Sequence, residues 1–251
     1  MTPFSSDSIA VTRLEKRFGS FVAVNKISFS VKKGEIFGFL GSNGSGKSTT
    51  IRMLCGIITP TSGGGTVAGH DIITEAEDVK QSIGYMSQKF SLYEDLTPFE
   101  NLRFYLGVYN VPPSQWRERI DWVLNMTRLQ DARDRKTREL PPGWRQRLAL
   151  GCSLLHKPDI LFLDEPTSGV DPVTRVHFWG FIKQLAAAGI TIFVTTHYMD
   201  EARFCERIVM INEGNLVAAG TPAEIIAGAC PGIRDADLTD AFIRIMKRDE
   251  T

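Results

Sequence analysis

Residues Gly41 to Thr49, Gly-Ser-Asn-Gly-Ser-Gly-Lys-Ser-Thr, combine three glycines, one lysine and four hydroxyl side chains. Together they can hold a polyphosphate. Gly41, Gly44 and Gly46 remove side chains, so the backbone N–H groups of Ser42, Asn43, Ser45 and their neighbours can turn inward on an anion. A helical run from Ser48 adds the positive end of its dipole. Lys47 supplies a compact charge against the terminal phosphates, and the Ser48 hydroxyl is a hard oxygen of the kind magnesium prefers. The apolar run Ile36 to Leu40 precedes this stretch. Strand, glycine loop and helix start are the context a phosphate-binding loop requires, which a merely flexible glycine turn would not need.

A second group of chemically capable residues stands at the ends of other apolar runs. Ile160 to Leu163 is continuously apolar and ends in Asp164-Glu165. Such a run belongs inside a parallel sheet covered on both faces, and its carboxyl end faces the same edge as the phosphate loop. There Asp164 can hold magnesium through water, and Glu165 can orient or deprotonate an attacking water. Gln88 follows the apolar stretch Ile83 to Met86, and His197 follows the β-branched stretch Thr191 to Thr195. Both arrive at that edge. Phe18, in a short Phe-Gly-Ser link, reads either as a partly buried loop aromatic or as a flat platform for a nucleotide base.

The elements that must position these residues read as follows. Ile9 to Leu14, Phe21 to Val24 and Ile27 to Val31 alternate apolar and polar residues, predicting an antiparallel β layer ahead of the phosphate loop. Thr59 to Gly65 is dense in turn formers, with short strands expected at Thr66 to Ala68 and Ile72-Ile73. From Thr97-Pro98-Phe99-Glu100, an N-cap, a first-turn proline and a capping-box glutamate, the period becomes helical. Pro112-Pro113 interrupts it, Trp116 to Leu129 resumes it, and Arg128 to Arg138 is a charged, solvated link. Pro141-Pro142-Gly143 then begins a helix with Trp144, Leu148, Gly151 and Leu155 on one face. Asp171-Pro172 caps another, striped by Phe178, Phe181, Ile182 and Leu185. Glu213-Gly214-Asn215 marks a hairpin between Arg207 to Ile211 and Leu216 to Ala219, and a helical tail follows.

The 251 residues suffice for one large domain or a domain with a subdomain. Lys+Arg and Asp+Glu both number 29, so no net field favours nucleic acid. No apolar run reaches the length of about 18 residues that a membrane span needs, and the first ten residues lack a secretion pattern. A cytoplasmic location is expected. Cys55, Cys152, Cys205 and Cys230 lack pair spacing and read as buried thiols.

In their order and separations these motifs resemble the ATP-binding subunit of an ABC transporter over almost the whole chain. Gly41 to Thr49 resembles its Walker A, Gln88 its Q-loop and Ile160 to Glu165 its Walker B with the catalytic glutamate. Ser168-Gly169-Val170-Asp171 resembles its D-loop and His197 its H-loop, while Phe18 falls where the family places an aromatic against adenine. The phrases LDEPTSGVDP, TTHYMDEA and DLTDAFIRI are similar to the exporter branch that works with separate type-two permeases.

The resemblance implies an α/β P-loop NTPase: a RecA-like core with an N-terminal antiparallel β subdomain, over about 5–96 and 157–220. It also implies an inserted helical subdomain over about 97–156 and a helical tail over about 221–251. The implied cofactors are ATP and Mg2+, the ion held by Ser48, Gln88 and Asp164, with Lys47, Glu165, His197 and Gln88 catalytic. The implied partners are integral-membrane permease subunits and a second ATP-binding subunit, whose site Gly143 and Asp171 would complete, at the inner face of the membrane. One departure stands out. The family signature Leu-Ser-Gly-Gly-Gln is replaced by Leu140-Pro141-Pro142-Gly143-Trp144, with the N–H groups of Gly143, Trp144 and Arg145 expected to face an anion. A soluble ABC-type ATPase, or a nucleotide sensor with little turnover, shares the same motifs.

Overall fold

The computed structural model describes residues 7–89 and 91–249. The chain opens with two long strands, β1 (Asp7–Phe18) and β2 (Phe21–Lys32), paired antiparallel across a Gly19-Ser20 turn. The two strands expected between Phe21 and Val31 are one. Arg13 and Lys26 take positive φ, 49° and 48°, where the β1–β2 register shifts, so bulges break the alternation without ending the strand.

The buried strand β3 (Ile36–Leu40) leads into α1 (Lys47–Leu54), after which β4 (Ser62–Val67) and β5 (His70–Asp71) join β1. Here the expectation of a turn over Thr59 to Gly65 fails in part, because Ser62 to Gly65 lie within β4. A Cβ on Gly63 would come 2.0 Å from the Arg13 carbonyl oxygen, and one on Gly65 2.4 Å from that of Ala10. These glycines therefore serve close approach of two backbones and not a turn. Ile72-Ile73 is not a strand either, since the Asp71 carboxylate accepts from the N–H groups of Ile73 and Thr74 and closes a turn there.

Then come α2 (Ala76–Ser82), β6 (Ile83–Met86) and three helices, α3 (Pro98–Val108), α4 (Trp116–Thr127) and α5 (Pro142–Leu154). The Thr97/Glu100 capping box that starts α3 is formed on both sides. Leu102, Leu106, Ile120, Val123, Leu148 and Leu155 bury one another to join the three helices. Gly151 belongs to the same contact, since a Cβ there would sit 2.4 Å from Val123 Cγ1.

The remaining elements are β7 (Ile160–Asp164), α6 (Pro172–Ala187), β8 (Thr191–Thr196), β9 (Arg207–Asn212), β10 (Asn215–Gly220), α7 (Pro222–Ala229) and α8 (Leu238–Asp249). The main sheet runs β10-β9-β3-β8-β7-β6, parallel except for β10, and the smaller antiparallel sheet runs β2-β1-β4-β5. One face of the main sheet packs Phe37, Phe39, Phe162 and Phe193 toward Ile9, Leu14 and Val24 of the small sheet. The other packs Leu40, Leu161 and Val194 against Phe178, Trp179 and Ile182 of α6. Each fully buried side chain of this size contributes about 1.5–3 kcal/mol. This two-sided burial explains the continuous apolar runs of β3 and β7. The register sets Leu40 beside Thr196, Asp164 beside Thr195 and Met86 beside Leu163. The loops leaving β3, β6, β7 and β8 therefore emerge at one edge. All four cysteines are buried and free.

Candidate functional site

At that edge the loops converge on Glu165. Its Oε1 lies 3.1 Å from Lys47 Nζ, and its Oε2 is 3.1 Å from Gln88 Nε2 and 3.0 Å from His197 Nδ1. Three of the residues picked from the sequence thus meet on the carboxylate of a fourth. Lys47 is 4% exposed and Glu165 7%, so this pair is shielded from water. Lys47 also donates to the carbonyl oxygens of Gly41 and Ser42, both at 2.9 Å. Its ammonium is held at the mouth of the glycine loop, with all three of its donors directed.

The neighbouring carboxylate is organised separately. Asp164 Oδ1 accepts from Ser48 Oγ at 3.1 Å and Thr195 Oγ1 at 2.8 Å. Burial pushes the Asp164 carboxyl above its ordinary range, the two hydroxyl donors pull it back, and the adjacent Glu165 charge raises it further. A partly desolvated carboxylate beside a serine hydroxyl is a hard-oxygen pair suited to a small divalent cation. Glu165 itself takes a positive φ of 46°, a conformation that non-glycine residues adopt under constraint. Its N–H donates to both the Thr195 hydroxyl, at 3.0 Å, and the Thr195 carbonyl, at 3.2 Å. Thr195 therefore ties the Asp164 carboxylate to the backbone of Glu165. Sequence reasoning took it only as a β-branched strand residue, although a hydroxyl beside the end of β7 was the available signal.

The glycine loop fits a polyphosphate. Gly44 and Gly46 take φ of 82° and 110°, and Gly41 and Gly46 approach other backbone so closely that a Cβ would lie within 2.4–2.5 Å of the Ile211 and Ala23 carbonyl oxygens. Gly46 precedes α1 in a left-handed conformation, with no side chain capping the helix. Its first N–H groups are thus left for another acceptor. Ser45 Oγ is buried and has no partner among the described residues, as expected where a ligand oxygen completes the hydrogen bonding. Ser42 and Asn43 are exposed at the loop's tip, and Thr49 is half-buried on α1.

The remaining residues predicted for the site lie elsewhere. Phe18 is 53% exposed at the end of β1, on the small sheet, with Lys16 Nζ 5.2 Å from its ring centre and the 63% exposed Phe21 paired opposite. Phe18 is thus the last residue of β1, its ring about half exposed. Phe21, a second ring presented at the same turn, was read only as the start of a strand. Gly143 and Asp171 together line a cavity of about 750 Å³ between α5 and α6 that contains none of the glycine loop. Asp171 is engaged locally, accepting from the Val173 and Thr174 N–H groups as the N-cap of α6. At the start of α5 the expected three free donors reduce to one. Trp144 N and Arg145 N both donate to the Pro141 carbonyl, at 2.9 and 3.1 Å, as the first turn closes on its cap. Only the Gly143 N–H is not drawn into that turn.

A family model described as ABC transporter matches residues 24–168. The chain belongs to the ABC transporter family. It is 48% identical over 239 residues to the probable multidrug ABC transporter ATP-binding protein YbhF of Escherichia coli K12, covering 95% of this chain and 41% of that relative. The chain thus spans about two-fifths of that protein's length. It is 41% identical over 213 residues to the linearmycin resistance ATP-binding protein LnrL of Bacillus subtilis 168, covering 84% of this chain and 68% of that one. Among solved structures, an ATP-binding subunit of an ABC transporter superposes with TM-score 0.83 at 26% identity, covering 95% of this chain and 99% of the other. A dimeric ATP-binding cassette in a post-hydrolysis state with ADP and Pi superposes with TM-score 0.76 at 26% identity, over 85% and 98% of the two chains. As a member of this family the chain is an ATP-binding P-loop NTPase domain of ABC architecture. No helix among the described residues is long and apolar enough to cross a membrane.

Proposed function

We propose that the chain is the ATP-hydrolysing subunit of an exporter, working at the inner face of the cell membrane on separate permease subunits and closing head to tail with a second ATP-binding subunit. The observation that carries this reading is the convergence of Lys47, Gln88 and His197 on Glu165 beside the Asp164–Ser48 pair. Relatives named for multidrug transport and for linearmycin resistance are in keeping with export, and the post-hydrolysis dimer supports pairing of two subunits. Residues 97–156 act as the helical subdomain in this arrangement.

In the reaction Glu165 takes a proton from the attacking water, His197 and Gln88 hold the water and the γ-phosphate in line, and Lys47 balances the phosphate charge. Ser48, Asp164 and the Gln88 amide oxygen would hold Mg2+, which supplies positive charge against the phosphate oxygens. The glycine loop and the start of α1 bind the phosphates through backbone N–H groups. ATPase assays with and without a co-purified membrane protein test the whole reading. Stimulation by the permease is expected, and turnover indifferent to any membrane partner would favour a soluble ATPase.

Phe18 is the adenine platform in this reading. Stacking of a base on an aromatic ring is worth roughly 1–3 kcal/mol, so Phe18→Ala is expected to raise the ATP dissociation constant about ten-fold or more. Fluorescent-nucleotide titration of Phe18→Ala and Phe21→Ala decides between the two exposed rings. Unchanged affinity in the first with a loss in the second would move the platform to Phe21.

The altered signature predicts a slow isolated enzyme. A serine hydroxyl hydrogen-bonded to a charged phosphate is worth about 1.5–3 kcal/mol, and Pro141 has none to offer. The side chain of Pro141 also caps no N–H of α5. Pro141→Ser combined with Pro142→Gly and Trp144→Gln is therefore expected to raise the basal rate about ten- to a hundred-fold. Steady-state phosphate release at equal protein concentration measures it. A wild-type protein as fast as the triple variant would show that the Gly143 N–H suffices.

A further inference from the structure

Glu201 carries a carboxylate that the hydrolysis scheme does not use and that is fully buried. Burial of an ionised group is costly unless each oxygen finds donors. Both oxygens do. Oε1 accepts from Thr167 Oγ1 at 2.6 Å and Oε2 from Thr196 Oγ1 at 2.7 Å, with Arg175 Nε of α6 3.6 Å from Oε1. Thr167 and Thr196 are each 1% exposed. Thr167 lies two residues after Glu165, and Thr196 immediately precedes His197.

Each arm is locked again from the far side. The Thr196 hydroxyl also accepts from the Tyr198 N–H at 3.0 Å, so it fixes the backbone on both sides of His197. The Tyr198 ring lies 4.1 Å from that of His197 and 4.0 Å from the Arg175 guanidinium carbon. On the other arm the buried Gln146 of α5 donates to the Pro166 carbonyl at 2.5 Å, between Glu165 and Thr167. The loops after β7 and β8 otherwise meet through Thr195 and the His197–Glu165 contact.

We propose that Glu201 is a positioning residue for hydrolysis: one buried carboxylate bridges the loop after Glu165 to the loop carrying His197 and thereby sets the distance between them. This rests on the assignment of Glu165 and His197 to the hydrolytic step. A misplacement of about 1 Å at a reacting centre can cost on the order of a hundred-fold in rate, so a bridge of two hydrogen bonds between two catalytic loops has leverage that a bond inside one element lacks. The glycine loop is held by other contacts, so loss of the bridge acts on the chemical step and leaves ground-state nucleotide binding in place.

The test is steady-state ATP hydrolysis and nucleotide titration of the whole chain, below the melting temperature of every variant. Glu201→Ala is expected to lower kcat about ten-fold or more with KM within about three-fold of wild type. Glu201→Gln, whose amide can accept from Thr167 and donate to Thr196, is expected to restore kcat to within about three-fold. Thr196→Val acts through His197, so its loss should not multiply with that of His197→Ala. Should Glu201→Ala fail to fold, Thr167→Val and Thr196→Val each remove one arm, and a lowered kcat at unchanged KM in both carries the same conclusion. Wild-type kcat in Glu201→Ala, or in both valine variants, would overturn the proposal while leaving the hydrolytic assignment intact, as would a loss in Thr196→Val that multiplies in full with His197→Ala. A wild-type chain no faster than Lys47→Ala would instead overturn the hydrolytic reading, and the proposal with it.

Discussion

Lys47→Ala is expected to abolish ATP hydrolysis and to weaken ATP binding by at least ten-fold. Lys47 is the side-chain cation set against the Gly41 and Ser42 carbonyl oxygens, and those same carbonyls aim it into the loop proposed to bind the phosphates. A charge-assisted hydrogen bond to phosphate is worth about 1.5–3 kcal/mol in the ground state, and the interaction strengthens as charge develops on the leaving oxygens. The substitution also removes the cation 3.1 Å from the buried Glu165 carboxylate. A buried charge stripped of its partner is destabilising, so the variant should melt at a lower temperature as well. Thermal melts accompanying the phosphate-release assay separate the two effects. A folded Lys47→Ala protein with wild-type turnover would remove the glycine loop from the reaction.

The reason this much of the site could be read in advance lies in the sheet. Asp164, Glu165, Gln88 and His197 each follow an apolar run, and runs of that kind become parallel strands buried on both faces. Parallel strands deliver their carboxyl ends to one edge, so Gln88, the Asp164-Glu165 pair and His197, remote from one another in sequence, had to approach one another. What could not be read were contacts made sideways. Thr195, Thr167 and Thr196 look like strand and loop residues of ordinary β propensity. Their role rests on which face of the strand turns toward a neighbouring carboxylate, and that depends on register. Glu201 lies in a short 3₁₀ segment from Met199 to Phe204 with no periodic pattern, and nothing about an acidic residue there announces complete burial.

The glycines show the same limit from the other direction. Gly44 and Gly46 were legible because a phosphate loop needs positive φ and bare backbone. Gly63 and Gly65 have the same local appearance, yet they lie in β4, where β1 approaches so closely that neither has room for a Cβ. Composition alone does not separate a glycine that turns the chain from one that admits a neighbour. The start of α5 is a third case. Proline at its first position is compatible with a helix, as expected, but the cap carbonyl of Pro141 takes up Trp144 N and Arg145 N, which only the closed first turn reveals.

Glu165→Gln is expected to retain ATP binding within about three-fold of wild type while losing about 10²–10⁴ of the hydrolysis rate, the range that a positioned general base supplies. The amide has the shape of the carboxylate but not its basicity, and the structure shows what keeping that shape requires. Its oxygen can still accept from Lys47 Nζ at the Oε1 position. Its nitrogen then faces Gln88 Nε2 and His197 Nδ1, two groups that now lie 3.1 and 3.0 Å from Glu165 Oε2. Both can adapt, since the Gln88 amide can turn its oxygen toward the new donor and the neutral His197 ring can carry its proton on Nε2, leaving Nδ1 as an acceptor. The hydrogen bonds to Gln88 and His197 therefore survive with their directions reversed, while the group proposed to take the water's proton is gone. With ATP bound and the chemical step blocked, two chains should remain closed over nucleotide, so a dimer should accumulate in size-exclusion chromatography with MgATP. Glu165→Asp makes the complementary variant, retaining the charge but drawing the carboxylate back by one methylene from Lys47, Gln88 and His197. Hydrolysis at the wild-type rate in Glu165→Gln would transfer the proton-accepting role to another group, whereas loss of rate in both variants with ATP affinity intact would tie the reaction to a base held at this distance.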